Sequence, residues 1–375
     1  MEGSQQAREL LGKHHLQEAA GPRRVLVLHH DMGLEEGLKV LAEHKILSAP
    51  VLRRPAGTQK IQFADDWPED QPFPHVIGFA GVFDILGAIL QELEDIVGAE
   101  DLEKGGILRV MRELEKRAPS IAAKELVHVR GTDGDFVFQE AAGKPLLQTI
   151  VRSFLVPHDV GTVPEEKVLP SLRTPDKSWK VHRLALYDEA GRLTTIVSQT
   201  DVVRFLLQHA AELGEIKDKT VEELRLGMPK NVFVISGDTS TLVAFDKMYK
   251  MGLTAAGVVE KKSGILVGNL SVADLRSTEF DQIGKLAVPV SEYLLLQKGV
   301  RRASRAESGL NKGNRNSFTG QVLATCSPDS TLLDVIESMV LHCVHHVYIV
   351  GNAGVAVGVV SPSDILDLLS LRTLW

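Results

Sequence analysis

Three tetrapeptides of one pattern stand between an apolar run and a helix-like run: SQTD (198–201), SVAD (271–274) and SPSD (361–364). A serine that ends a strand and an aspartate that opens a helix flank a set of unpaired backbone N–H groups, which suit an anion. The carboxylates of Asp201, Asp274 and Asp364 can accept two hydrogen bonds from a vicinal diol. The hydroxyls of Ser198, Ser271 and Ser361 can donate to a phosphate. A degenerate fourth version, GVFD (81–84), keeps Asp84 and has Gly81 in place of the serine. Beside this ligand reading stands a plainer one: aspartate at a helix start is also an N-cap that complements the helix dipole.

Two basic pairs accompany the motif. His182–Arg183 precede Asp201 by nineteen and eighteen residues, and His345–His346 precede Asp364 by the same distances. Cations at the start of an inner strand in two copies would converge on phosphate groups. In the gap-free registers the third copy has Ala255–Ala256 there and the first has Ser48–Ala49, so neither offers a cation. The cluster LHCVHHVY (341–348) holds four residues of metal-ligating type. Adjacent strand residues point to opposite faces and no second ligand pair lies nearby, so no metal site is expected there. His14–His15 and His29–His30 read as surface residues.

The elements that carry these residues recur. Slid by ninety positions, 231–275 lies over 321–365, with Ser240, Thr241 and Leu242 on Ser330, Thr331 and Leu332, and Gly264, Ser271 and Asp274 on Gly354, Ser361 and Asp364. A slide of seventy-three recovers a third copy through Gly191, Ser198 and Asp201, and a looser copy opens the protein. Each unit reads as helix, short strand, glycine turn, second strand and a helix at the aspartate. Leu332, Ile336, Met339 and Val340 recur at helical spacing, with Ser330 and Thr331 as candidate N-caps. The fold class is α/β. One unit alone exposes an apolar face, and pairing units would bury it.

The expected divisions are an N-terminal helical segment 1–24, repeat 1 at 25–90 with an insertion at 53–75, and a helical linker 91–145. Repeat 2 follows at 146–210, repeat 3 at 228–280, a linker with a basic mobile loop at 281–320, and repeat 4 at 321–371. Repeat 2 is degenerate: where a helix is expected before His182 it has Pro157, Pro164, Pro170 and Pro175, too dense for a continuous helix. Asp274 is followed by LRSTEF, a poor continuation for an apolar helix. Repeat 4 is the most regular. In the basic loop, Arg301, Arg302 and Ser304 resemble a basophilic kinase target, although a solvated linker is the reading adopted.

Length and composition bound the rest. The chain has 375 residues, 44% hydrophobic and 24% charged, which matches an ordinary folded protein of two or three units. A net charge of −7 does not favour nucleic acid or an anionic membrane. Two cysteines, Cys326 and Cys343, exclude a disulfide scaffold and fit a reducing compartment. No apolar stretch is long enough for a membrane span, and the N-terminus lacks a secretory h-region, so a cytoplasmic location is expected, with the nucleus also compatible. Walker, HExxH, GxSxG and protein-kinase signatures are missing from the sequence, and no catalytic residue is assigned.

The apolar strand, small residue, S-x-x-D and helix resemble the CBS domain. Four such repeats without a catalytic domain look like the gamma regulatory subunit of AMP-activated and sucrose-nonfermenting-related kinases, of the plant and algal gamma-like type. KVHRLALYD, SQTDVVRFLLQHAAELG, NLSVADLR and VHHVYIVGNAGVAVGVVSPSDIL carry the likeness, which spans most of 25–370. The resemblance implies two tandem modules (repeats 1 with 2, and 3 with 4) with pseudo-twofold symmetry. It implies adenine nucleotide (AMP, ADP or ATP) as a regulatory ligand and kinase catalytic (alpha) and scaffold (beta) subunits as partners, and homodimers through the modules are compatible with it. The basic pair is similar to one that contacts nucleotide phosphates, although His346 stands where arginine is more usual, so its charge would depend on pH. The nucleotide site would then draw on His182, Arg183, Ser198, Asp201, Ser271, Asp274, His345, His346, Ser361, Asp364 and Asp84, best placed around His345, Ser361 and Asp364. The alternative is a CBS-fold interaction scaffold that binds no nucleotide.

Overall fold

A computed structural model describes residues 2–21, 23–53, 60–97, 106–129, 139–140, 143–155, 181–228, 232–305 and 323–370. Four three-stranded sheets follow one another: β1 (Leu28–His29), β2 (Ser48–Arg53), β3 (His75–Gly81); β4 (Gln139–Glu140), β5 (Arg183–Tyr187), β6 (Leu193–Ser198); β7 (Val234–Ser236), β8 (Ala255–Val259), β9 (Leu266–Ser271); β10 (Thr325–Cys326), β11 (Val347–Val350), β12 (Ala356–Val360). In each sheet the first two strands are parallel and the last two antiparallel. A parallel pair needs a crossover. The helices Leu34–Glu43, Thr241–Lys250 and Leu332–His342 supply it in repeats 1, 3 and 4.

Each repeat's first helix starts against a neighbouring linker through an isolated bridge. The four pairs are Gly33 with Glu125, Pro145 with His15, Ser240 with Pro289, and Thr331 with Thr220. These equivalences correct the gap-free alignment. Ser240 and Thr331 are the N-caps, so the first helices match with a shift of ninety-one. The hairpin between β8 and β9 then carries one more residue (260–265) than those of repeats 2 and 4 (188–192 and 351–355), which restores the shift of ninety at Gly264 and Gly354. Those two glycines have φ of +71° and +74°, a turn conformation that a side chain would strain.

Repeat 2 has its first helix after all. Leu146–Thr149 runs on into Ile150–Phe154, where the helix widens, and Leu146, Ile150 and Phe154 are fully buried. The proline-rich stretch follows this helix instead of replacing it, and residues 156–180 lie outside the described residues. In repeat 3, Val272–Ser277 is only a short 3-10 turn, as LRSTEF requires. The basic segment is helical through Arg305, within Val290–Arg305, and the rest of it falls outside the described residues. His29 is no surface residue: it is 1% exposed, with Nε2 against the backbone of Ile61.

Burial pairs the repeats in two directions. Sheets pack 1 on 2, through Val27, Leu52, Phe79, Ala185 and Leu193. They also pack 3 on 4, where the Leu266 N–H donates to the Gly354 carbonyl (3.0 Å) and the Tyr348 hydroxyl to Asn269 Oδ1 (2.7 Å). Helices pack 1 on 3 and 2 on 4, and these make the two large cores. Helix Ile107–Ala122 completes the first by lying on Phe280–Ala287. The N-terminal helix Glu2–Lys13 completes the second by lying on Ala210–Asp218. Each leucine or isoleucine so buried is worth about 1.5–3 kcal/mol.

Close approach explains the glycine in GVFD. A Cβ at Gly81 would lie 2.8 Å from the Leu47 carbonyl oxygen and 2.8 Å from Ser48 Cβ. Gly81→Ser should therefore overpack the strand end and lower the urea midpoint by the equivalent of about 1–3 kcal/mol. An unchanged midpoint would show that β2 can move aside.

Candidate functional site

The four aspartates occupy one local structure. Each follows a strand end by three residues and accepts the backbone N–H of the residue at that end. Gly81 donates to Asp84 at 2.7 Å; Ser198 to Asp201, Ser271 to Asp274 and Ser361 to Asp364 each at 2.8 Å. The aspartate is thus the third residue of the helical turn, with serine or glycine as N-cap, and not the cap itself. It closes a capping box. One carboxylate oxygen is committed to the turn in every copy, and the hydroxyls of Ser198 and Ser361 donate to that same oxygen at 2.6 Å. The second oxygen takes no part in these turn bonds.

At Asp201 even that oxygen is engaged. Asp201 is 1% exposed; its Oδ1 accepts from Arg204 (2.9 Å) and its Oδ2 from Arg23 (2.5 Å). Arg23 also donates to the Ile196 carbonyl at 2.7 Å, which pins the guanidinium over the turn. Two guanidiniums thus flank this one carboxylate. Asp84 is also buried, and its charge faces Tyr249 of repeat 3, whose hydroxyl is pushed up to about 12 by burial and then by that carboxylate.

The basic pairs do converge. Arg183 starts β5 level with Ser198, while His345 and His346 lead into β11. His345 Nδ1 and Thr200 Oγ1 share a hydrogen bond of 3.0 Å, which joins the helix start of repeat 2 to the strand start of repeat 4. His345 opens onto solvent yet has protein on most sides. Burial, then the charges of Arg183, His346, His182 and Arg276, hold it down to about 4. It is therefore neutral at pH 7, which corrects its reading as a cation. Arg183 and Arg276 carry the permanent charge. The register also moves the comparison by one residue. The positions equivalent to His182 and His345 are Leu47 and Thr254, fixed by the bonds Gln199 N–H to His182, Val82 N–H to Leu47 and Val272 N–H to Thr254 carbonyls. In repeat 4 that bond cannot form, because Pro362 has no N–H.

Arg23, Thr200 and Arg276 escaped the sequence reading. Arg276 comes from the turn after Asp274 and also donates to the Ile46 carbonyl of repeat 1 (3.1 Å). The packing of repeat 2 on repeat 4 brings Thr200 to His345, and Arg276 acts on His345 from the neighbouring repeat 3. A separate hollow of about 280 Å³ borders Arg276, near the low edge of the roughly 300–1,000 Å³ usual for ligand sites. Glu35, Glu43 and Glu279 share its wall with Lys39 and Arg276, a poor lining for a polyanion.

The CBS domain family matches residues 320–371. A curated relative, protein sds23/moc1 of Schizosaccharomyces pombe, is 21% identical over 230 residues, 60% of this chain and 50% of that protein. The SNF1-related protein kinase regulatory subunit gamma-1-like of Arabidopsis thaliana is 29% identical over 146 residues, 37% of this chain and 29% of that one. The chain thus spans half the length of the first and less than a third of the second. Protein MJ1225 of Methanocaldococcus jannaschii shares the fold over 94% of this chain and 99% of its own, with a TM-score of 0.56 at 15% identity.

The depressed His345 carries a pH signature. Unfolded, it takes a proton near its ordinary 6.5; folded, only near 4, so the unfolded chain binds more protons between these values. The stability due to this residue is complete above pH 6.5 and is lost as the pH falls to about 4. His345→Asn should flatten that part of the acid limb in thermal unfolding. Superimposable pH profiles for the two proteins would contradict the assignment.

Proposed function

We propose that this four-repeat CBS protein is a non-catalytic regulatory subunit that binds an adenine nucleotide and modulates an energy-sensing serine/threonine protein kinase complex. The observation that carries the reading is the convergence of His182, Arg183, Arg276, His345 and His346, from three repeats, around one solvent-open point. In a chain of net charge −7, such a cluster focuses an anion locally. Two guanidiniums suit a phosphate by their planar fork, and neutral His345 can take up a proton as phosphate arrives. The carboxylate of Asp364, half-buried beside Ser361, would take the ribose diol.

The names of the relatives support the kinase part. One is a regulatory subunit of an SNF1-related kinase, and the archaeal protein of like fold was put forward as a homologue of the gamma subunit of AMP-activated kinase. Catalytic (alpha) and scaffold (beta) subunits are the partners inferred. Ligand at the junction would act through the Thr200–His345 bond, which ties the two modules. Coupling of this kind is typically about 1–3 kcal/mol. The ions over Asp201 favour a second reading, a CBS-fold scaffold that captures kinase subunits without any nucleotide.

A thermal shift separates the two. At a hundred times the dissociation constant, AMP, ADP or ATP should stabilise the protein by about 2.7 kcal/mol. The shift should vanish in Arg183→Gln and shrink in Asp364→Asn, which keeps an acceptor for the Ser361 N–H. No shift at millimolar nucleotide, with kinase subunits still captured, would establish the scaffold.

A further inference from the structure

Away from the repeat junction, His14, His209 and Glu212 form the cluster in which one ligand atom of each lies within 4.8 Å of the others, among the described residues. They come from two parts of the chain. His14 sits at the joint between the helices Glu2–Lys13 and Leu16–Ala20, where its carbonyl accepts the Leu146 N–H at 2.8 Å. His209 ends the helix Gln199–Gln208, and Glu212 lies one turn further on. We propose that these three side chains bind a divalent metal of the zinc class, which clips the N-terminal segment to the end of that helix.

Geometry and donor chemistry support the site. The two imidazole centroids are 4.9 Å apart with a 53° tilt. The Phe205 ring lies 5.0 Å from one and 4.3 Å from the other, an apolar wall on one side. Both histidine side chains are largely enclosed, at 24% and 28% exposure, while Glu212 at 55% faces water. Glu18 Oε2 accepts from His14 Nδ1 at 2.7 Å, the carboxylate–histidine arrangement that orients a ligating ring and leaves Nε2 for the metal. Glu212 Oε1 is 2.8 Å from His209 Nδ1, so the acidic donor is already at the second ring.

Two nitrogens and one carboxylate are donors that zinc, nickel or copper accept and that magnesium or calcium do not favour. Zinc bonds of about 2.0–2.1 Å make a tetrahedral edge near 3.3 Å, so rotamer adjustments of about 1–1.5 Å close the set. Water can fill the fourth place on the exposed side. The clip would bear on the turn at Asp201 from both sides. Its helix begins at Gln199, and Arg23 lies further along the strap that starts at His14.

The test uses the full metal-free chain, titrated calorimetrically with ZnCl2 and, as control, MgCl2. The expected result is one equivalent of zinc at micromolar affinity or tighter, with no magnesium binding. His14→Ala and His209→Ala should each weaken zinc by at least tenfold, Glu18→Gln by about tenfold, and His342→Ala should leave it unchanged. Absence of a one-equivalent event, or binding unaltered in the His14→Ala/His209→Ala double variant, overturns the site. Cobalt(II) on the wild-type protein provides a readout that no folding defect can mimic. Visible ligand-field bands of a low-coordinate imidazole complex support it, and the spectrum of hexaaqua cobalt refutes it.

Discussion

The hydrogen bond from a strand-end N–H to an aspartate three residues on recurs at 2.7–2.8 Å in all four repeats, and the rest of the molecule is arranged around it. It fixes the angle at which each second helix leaves its sheet. That angle lets one sheet face pack on the next repeat while the helices pack on the repeat after. A capping interaction is worth only about 0.5–2 kcal/mol. Its effect is larger here because Asp84, Asp201 and Asp274 are almost fully buried, where a carboxylate without hydrogen bonds would be costly. The same bond limits chemistry, since an oxygen engaged by the turn has less accepting capacity left.

That constraint explains which parts of the sequence were legible. Strand, turn and helix order followed from the recurrent S-x-x-D and glycine turns, the need to pair repeats from their apolar faces, and the partners 1 with 2 and 3 with 4 from the family resemblance. The alignment failed by one residue because the repeat 3 hairpin is longer, and an insertion in a solvent-facing turn leaves no apolar signature. It therefore matched Ser240 to Ser330 where the caps match Ser240 to Thr331. The helix Leu146–Phe154 was overlooked since proline density was read at the expected spacing from His182, and the insertion had moved the helix upstream.

The candidate site was half legible. Spacing found His182, Arg183, His345 and His346, and they do meet. Residue type alone does not set the charge of His345: burial and the four neighbours Arg183, His346, His182 and Arg276 hold its protonation down. Thr200 belongs to a segment whose nearness to His345 depends on helix packing between the non-consecutive repeats 2 and 4, which no local pattern encodes.

Four copies of one turn need not do one job. In repeat 2, Asp201 retains its capping box, Arg204 takes the second oxygen, and Arg23 from the N-terminal segment adds a positive partner at the oxygen of the turn. Repeat 1 differs by sterics, with a glycine that leaves no room for the serine hydroxyl. Repeat 3 contributes a cation in place of a long helix. Repeat 4 keeps serine and aspartate, leads into its second strand through His345 and His346, and lacks the backbone bond to His345 because Pro362 has no N–H. Duplication supplied identical backbones, and the division of labour rests on a few side chains that fill, block or charge each copy. Repeats 2 and 4 share one further contact, the hydrogen bond between Thr200 and His345.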